Sequence, residues 1–321
     1  MSETTSAGLA GAHTIPRVFD MRTRLSFPEL IVVTFFVYIT FAAFAFHPAA
    51  RDLFLIVALN TVTIATLVAL GRNRERAPWL AGAADLFPAL LLLVAYRESG
   101  LLLTPDPAHH LDFVFIRWDR ALLQNHFAYA LLQAGAPWLQ HYLELAYLLC
   151  YPLVPLGVAA IHYARPRSAA GGLDNAATPS WRRLAAGSRR YSRSMDAFWT
   201  AVLLATLFCY AVYPYFPLTP PRVLFGDVPG PHVEPLLRKW NFWLLDHYSV
   251  HACIFPSGHV AAVTAVALAV RKHAPRLGAL FLLLAASVAL ATVYGRYHYA
   301  ADAVAGAVVG VVAYKLSAHM R

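Results

Sequence analysis

Histidine is the side chain best suited to attack phosphorus or to carry a proton near neutral pH. Two histidines of this sequence sit where such work is feasible. His259 closes the stretch Pro256-Ser257-Gly258-His259 at the start of an apolar run. His298 lies in Tyr294-Gly295-Arg296-Tyr297-His298-Tyr299, and Asp302 follows it by four residues. At the start of a helix that spacing puts imidazole and carboxylate on one face, where the acid fixes the tautomer and orientation of the ring. Ser257 and Gly258 at a helix start offer a hydroxyl and backbone N–H groups to an anion. A third stretch, Pro217-Leu218-Thr219-Pro220-Pro221-Arg222, carries an arginine on a backbone stiffened by prolines.

Taken singly, each feature has an ordinary structural reading. His259 could cap a helix, and Arg222 could anchor the chain at an interface. Taken together they supply a nucleophile, an orienting carboxylate, a proton donor and cations for developing phosphate charge. That is the chemistry of phosphoryl transfer. Arginines can neutralise the phosphate, so neither a metal nor another cofactor is expected. A zinc site built on His247, His251, His259 and His298 is the competing arrangement. It lacks an acidic partner of the usual kind beside His247 and His251, and the nearby arginines oppose a second cation.

The elements that hold these residues are apolar. Of the 321 residues, 59% are hydrophobic and only 13% charged, about half the charge of a soluble domain. Eight apolar runs follow a polar segment: 27–46, 53–70, 79–96, 137–163, 196–215, 257–271, 277–294 and 299–316. Most approach the roughly 20 residues a helix needs to cross a bilayer. The expected fold is an all-α, polytopic membrane helix bundle of about eight transmembrane helices. Its expected parts are a cytoplasmic tail (1–26), N-terminal transmembrane helices with an outer amphipathic loop (27–163), a basic cytoplasmic loop (164–195), a catalytic transmembrane core (196–316) and a C-terminal tail (317–321). Three cysteines at Cys150, Cys209 and Cys253 fit neither a zinc site nor a disulfide framework.

The net charge of +9 is distributed unevenly. With Lys315 counted in the C-terminal segment, alternate loops carry 18 lysines and arginines on one side and 8 on the other. The richer side is expected to be cytoplasmic, with both termini inside and all three motifs outside. No basic face on a soluble domain speaks for nucleic acid. Two long outer loops, 97–136 and 216–256, each contain an aromatic and charged stretch that suits an interfacial helix: Phe113–Leu123 and Leu236–Tyr248. The bilayer and a lipid phosphate are therefore the expected partners.

The motifs in this order and spacing resemble the type 2 phosphatidic acid phosphatase superfamily. Thr219-Pro220-Pro221-Arg222 is similar to its inositol phosphorylceramide synthase-like (inositolphosphotransferase) branch. The resemblance covers about 196–316, with a weaker echo around Glu144–Pro155. It implies a six-helix phosphatase-like core and a phosphohistidine mechanism. His298 would be the nucleophile, Asp302 its orienting partner and His259 the general acid. Ser257, Gly258 and Arg222 would bind phosphate, and Arg296 would stand in for a motif arginine. Three positions depart from the pattern. Tyr215 stands where a lysine is usual, Val223 where a proline is usual, and Thr292 where an arginine is usual. Arg238 and Lys239 are further candidates to restore the lost charge.

Two outcomes share the first half of this chemistry. Water as acceptor gives a lipid phosphatase acting on a phospholipid or prenyl (di)phosphate. A second lipid as acceptor, a ceramide or diacylglycerol, gives a head-group transferase. A lipid transporter or flippase without chemistry is the reading from another class. Against it, the polar residues gather at one surface, with no broken-helix pair at the midplane. The expected setting is a bacterial inner membrane with a periplasmic site.

Overall fold

The computed structural model describes residues 25–73, 80–103, 111–123, 136–164, 180–225, 236–250 and 252–320. Among them the chain is an all-α membrane helix bundle with one two-stranded ribbon. Helices α1 (Phe27–Phe46), α2 (Ala50–Asn73) and α3 (Leu80–Leu101) come first. The outer helix α4 (Asp112–Leu123) follows. Next come α5 (Pro137–Leu148) and α6 (Cys150–Tyr163), bent by 61° at Leu149, a broken-helix pair not expected from sequence. The long α7 (Ser180–Val212) leads into the single turn α8 (Pro221–Leu224) and the second outer helix α9 (Leu236–Tyr248). Helices α10 (Gly258–His273), α11 (Pro275–Tyr294) and α12 (Ala300–His319) complete the bundle.

Every one of the eight apolar runs is helical, and both amphipathic stretches form the outer helices α4 and α9. Five helices are long and apolar enough to cross a membrane, or six if the bent α5–α6 pair is one span. α3 and α10 do not meet that test among the described residues. α10 has only 16 residues, roughly 24 Å of rise against a hydrocarbon layer of roughly 30 Å. α7 also differs from expectation. It begins at Ser180, so the second half of the basic 164–195 segment is helix rather than loop. Its alanines and arginines are good helix formers, and they extend the apolar helix beyond its own hydrophobic length. The N-terminal tail and the first half of that loop lie almost wholly outside the described residues.

α10 is the axis of the fold. It packs on α6, α7, α11 and α12, while α1 and α3 add an outer layer against α7. Ten of its residues are buried, and apart from Gly258 all of these are alanine or valine. Small side chains let helix backbones approach closely, which is how helices associate where lipid removes the hydrophobic drive. The partner face on α12 carries Gly306 and Gly310, one turn apart. A Cβ on Gly306 would lie 2.5 Å from the carbonyl oxygen of Ser257, and one on Gly310 would lie 2.6 Å from that of Ala261. Neither carbonyl can retreat without breaking α10.

Gly310→Ala is therefore expected to push α12 off α10 and to destabilise the bundle by about 1–3 kcal/mol. A thermal unfolding scan in detergent reads this as a lower Tm. An unchanged Tm would show that the two backbones are not in obligatory contact.

Candidate active site

The three motifs meet at one end of α10, held by backbone bonds that close a ring. β1 (Pro217–Leu218) and β2 (Cys253–Ile254) pair antiparallel, joining the first motif to the second. The Arg222 N–H donates to the Arg296 carbonyl at 2.9 Å, joining the first to the third. The Ser257 N–H donates to the Asp302 carbonyl at 3.1 Å, joining the second to the third.

His298 and Asp302 behave as their spacing suggests. His298 Nδ1 lies 3.4 Å from Asp302 Oδ2, a long contact between a nearly buried ring and a fully buried acid. The same Oδ2 accepts the Tyr299 N–H at 3.1 Å. Asp302 thus caps the start of α12, where a helix N-terminus favours negative charge, and also orients His298. Nδ1 is thereby the ring nitrogen turned to the carboxylate.

The ring of His259 stands 6.1 Å from that of His298, centroid to centroid. A phosphorus atom between them could be attacked from one side while its leaving oxygen receives a proton from the other. Ser257 is fully buried and caps α10, its hydroxyl accepting the Val260 N–H at 3.4 Å. Gly258 sits under the hydroxyl of Tyr213, which would be 2.5 Å from a Cβ there, so a side chain would need the buried Tyr213 ring to shift. Arg222 rides on α8, beside the third motif through its own N–H. Arg296 has φ 60°, the left-handed region, and its Nη1 donates to the Phe225 carbonyl at 3.2 Å. Burial, and then the neighbouring Arg238 cation, lowers the Arg296 pKa. Arg238 and Arg296 thus lie close enough to feel one another's charge.

All seven site residues expected from sequence therefore gather around this end of α10. The two further cation candidates separate from one another. Arg238 is buried and paired with Glu144, Nη1 to Oε1 at 2.9 Å, whereas Lys239 is exposed. Among the described residues no group of three or more His, Cys, Asp or Glu could hold a metal ion; His251 of the zinc alternative lies outside them.

Several neighbours of the site carry no motif. Tyr147 and Tyr151, on either side of the α5–α6 bend, approach His259 with ring centroids at 6.0 and 5.7 Å. Their signals in sequence are the weak family echo around Glu144–Pro155 and a run interrupted by Pro152 and Pro155. Two acids on α4 hold the motif loops from outside. Asp112 Oδ1 accepts the Thr219 N–H at 2.7 Å, and Asp119 Oδ1 accepts the Ala301 N–H at 3.2 Å. Phe115 of α4 is buried against Leu218 and Tyr299. The amphipathic pattern predicted the helix but not what its acids hold.

Comparison with protein families gives one match: the sequence model described as PAP2 superfamily fits residues 176–316. That segment contains all three motifs, and the match supports the type 2 phosphatidic acid phosphatase superfamily and a phosphatase-type lipid enzyme. With the apolar helices it also supports an integral membrane protein. Comparison with curated proteins and with solved structures gives no match.

Asp119 makes stability depend on pH. Burial raises its pKa to about 6, the N–H groups of Ala300 and Ala301 pull it down, and Asp302 pushes it up. The folded state thus holds this proton more tightly than the unfolded chain, whose value is about 3.9. The stability Asp119 contributes is greatest below about pH 4 and is lost as pH rises through about 6. Asp119→Asn cannot ionise and should show no such loss. Tm of the wild type is expected to fall relative to Asp119→Asn between about pH 4 and 7. Parallel curves would mean that Asp119 does not titrate in that window.

Proposed function

We propose that the chain is a metal-independent, histidine-dependent lipid phosphatase or phosphotransferase acting at the non-cytoplasmic face. The observation that carries this reading is the pair of facing imidazoles, His298 held by Asp302 and His259 at 6.1 Å, inside a closed ring of three motif loops.

In the first step Nε2 of His298 attacks phosphorus and the bond from phosphorus to the lipid oxygen breaks. With phosphate bound beside it His259 carries a proton, which passes to that oxygen, so a phosphatidate leaves as the neutral alcohol and a diphosphate as the lipid monophosphate. In the second step the resulting neutral His259 takes a proton from water. The hydroxide so formed displaces His298 from phosphorus and releases phosphate. Arg222 and Arg296 bind the phosphate oxygens, with Ser257 and Gly258 shaping the helix start beneath them. Asp302 supports the cationic ring formed during attack. A bacterial inner membrane with a periplasmic site fits the excess of arginine and lysine on the opposite loops.

One observation favours the second outcome, head-group transfer of the inositolphosphotransferase type to a ceramide or diacylglycerol. Arg238, a candidate to restore the missing motif cation, has its charge taken by Glu144. A phosphate monoester approaches two negative charges at neutral pH, whereas a phosphodiester carries one. A pocket resting on Arg222 and Arg296 suits the diester better.

The test uses purified protein in detergent with phosphatidate, a prenyl diphosphate and phosphatidylinositol. His298→Ala is expected to lower turnover more than about 1000-fold, as removal of a nucleophile does in other covalent enzymes. His259→Ala should lower it by about 100- to 10,000-fold, the usual worth of a general acid. Full activity in either variant would remove the mechanism. Phosphate release from the first two lipids marks a phosphatase. Turnover only after ceramide or diacylglycerol is added marks a transferase.

Arg296→Ala is expected to raise KM with a smaller change in kcat, because a ground-state phosphate contact is lost. An unchanged KM would return Arg296 to holding the loop through Phe225.

A further inference from the structure

Glu144 is an acid in the middle of an apolar run, buried to 2% exposure on α5. An ionisable group at such depth is a functional signal by default. Its carboxylate accepts three side-chain hydrogen bonds. Arg238 Nη1 reaches Oε1 at 2.9 Å. Asn241 Nδ2 reaches Oε2 at 2.8 Å, and the Tyr297 hydroxyl reaches the same oxygen at 2.6 Å. Asn241 Nδ2 also donates to the Glu144 carbonyl at 2.9 Å.

Stability alone does not account for this hub. A buried ion pair commonly contributes no more than well-packed apolar residues of the same volume. What the carboxylate does provide is direction. Tyr297 immediately precedes His298, and it is the peg on which the catalytic loop hangs. Its ring stacks on Tyr147 with centroids 4.0 Å apart and meets Phe242 edge-on at 6.1 Å. The N–H groups of Tyr297 and His298 both donate to the Thr292 carbonyl, at 2.9 and 3.0 Å. Stacking fixes the plane of the ring but leaves it free to slide. The bond from the hydroxyl to Glu144 stops the slide, and His298 is one residue away.

We propose that Glu144 is a positioning residue for the nucleophile: by fixing Tyr297 it sets the placement of His298 against Asp302. This rests on the reading of His298 as nucleophile. Because Arg238 and Asn241 belong to α9, seating of that outer helix and alignment of His298 depend on the same carboxylate.

Glu144→Gln leaves the buried Arg238 without its counter-charge and endangers folding. Tyr297→Phe is the decisive variant, since it keeps the stacked ring and the Glu144–Arg238 pair and removes one bond. Two readouts are taken on full-length protein in detergent beside wild type and His298→Ala. The first is kcat and KM on whichever panel lipid is turned over. The second needs no substrate: the rate of carbethoxylation of His298 by diethylpyrocarbonate at fixed pH, resolved by peptide mass spectrometry, with exposed His247 and His319 as internal references.

Tyr297→Phe is expected to lower kcat about tenfold with KM within about twofold, as a small misplacement of a reacting group does. It should also raise His298 modification about tenfold while the references stay constant, because a loosened loop exposes a ring now 8% exposed. His298 modification within twofold of wild type would overturn the inference whatever the activity shows. Full activity of His298→Ala, with His298 modification still raised by Tyr297→Phe, would overturn the nucleophile assignment and leave Glu144 as the residue that places this loop.

Discussion

A loop buried in a membrane bundle has no water to satisfy its N–H and C=O groups, so protein must do it. In this chain the three motif loops satisfy one another. The ribbon of Pro217–Leu218 with Cys253–Ile254, the bond from Arg222 to Arg296 and the bond from Ser257 to Asp302 close a ring of main-chain contacts. That ring brings together residues about 80 positions apart in sequence without relying on any side chain of the proposed machinery. A substitution at His259 or His298 therefore leaves the scaffold in place, which makes these positions clean tests of chemistry.

The side chains around the ring divide the remaining work. Asp302 serves two demands with one oxygen, capping α12 through Tyr299 and orienting His298. Sharing an acceptor explains the long 3.4 Å contact to the imidazole, because the backbone N–H already holds the carboxylate toward its own helix. A developing positive charge on His298 would draw the two closer, and catalytic bonds commonly tighten in just this way once substrate is bound. Outside the ring, α4 and α9 act as clamps of opposite character. α4 holds backbone with acids, Asp112 on Thr219 and Asp119 on Ala301. α9 offers a cation and an amide to an acid of the bundle, Arg238 and Asn241 on Glu144.

The sequence made the helices and the motif residues legible for different reasons. Apolar runs of membrane length leave little choice of secondary structure, and even the outer helices α4 and α9 were visible as amphipathic stretches. The histidines, Asp302 and Arg222 stood out because polar residues at the edge of apolar runs need a reason to be there. Glu144 met the same criterion, an acid within the 137–163 run, but its three donors lie about 95 and 153 residues away. No local pattern reports such distances. Asp119 and the Tyr147–Tyr297 stack were illegible for the same reason. The helical start of α7 is not legible because a dense arginine run suits a basic loop as well as a helix, and its alanines and arginines favour the helix.

With 16 residues, α10 is short for a helix at the centre of a membrane bundle. Sixteen residues rise roughly 24 Å, so a helix at the centre of the bundle cannot reach both faces of a roughly 30 Å hydrocarbon layer. One end must be recessed. The C-terminal end carries Arg271, Lys272 and His273, with Arg271 and Lys272 exposed, and their charge draws that end to water. At the Ser257 end His259 sits among Tyr147, Tyr151 and His298, so the proposed site fits the recessed end. On the proposed function, a phosphate bound there would bring its lipid into contact with these aromatic side chains, and protein would replace water as the medium for charge. In such a medium each cation and each N–H near the phosphate acts more strongly than it would at an open surface, which suits a site that relies on arginines.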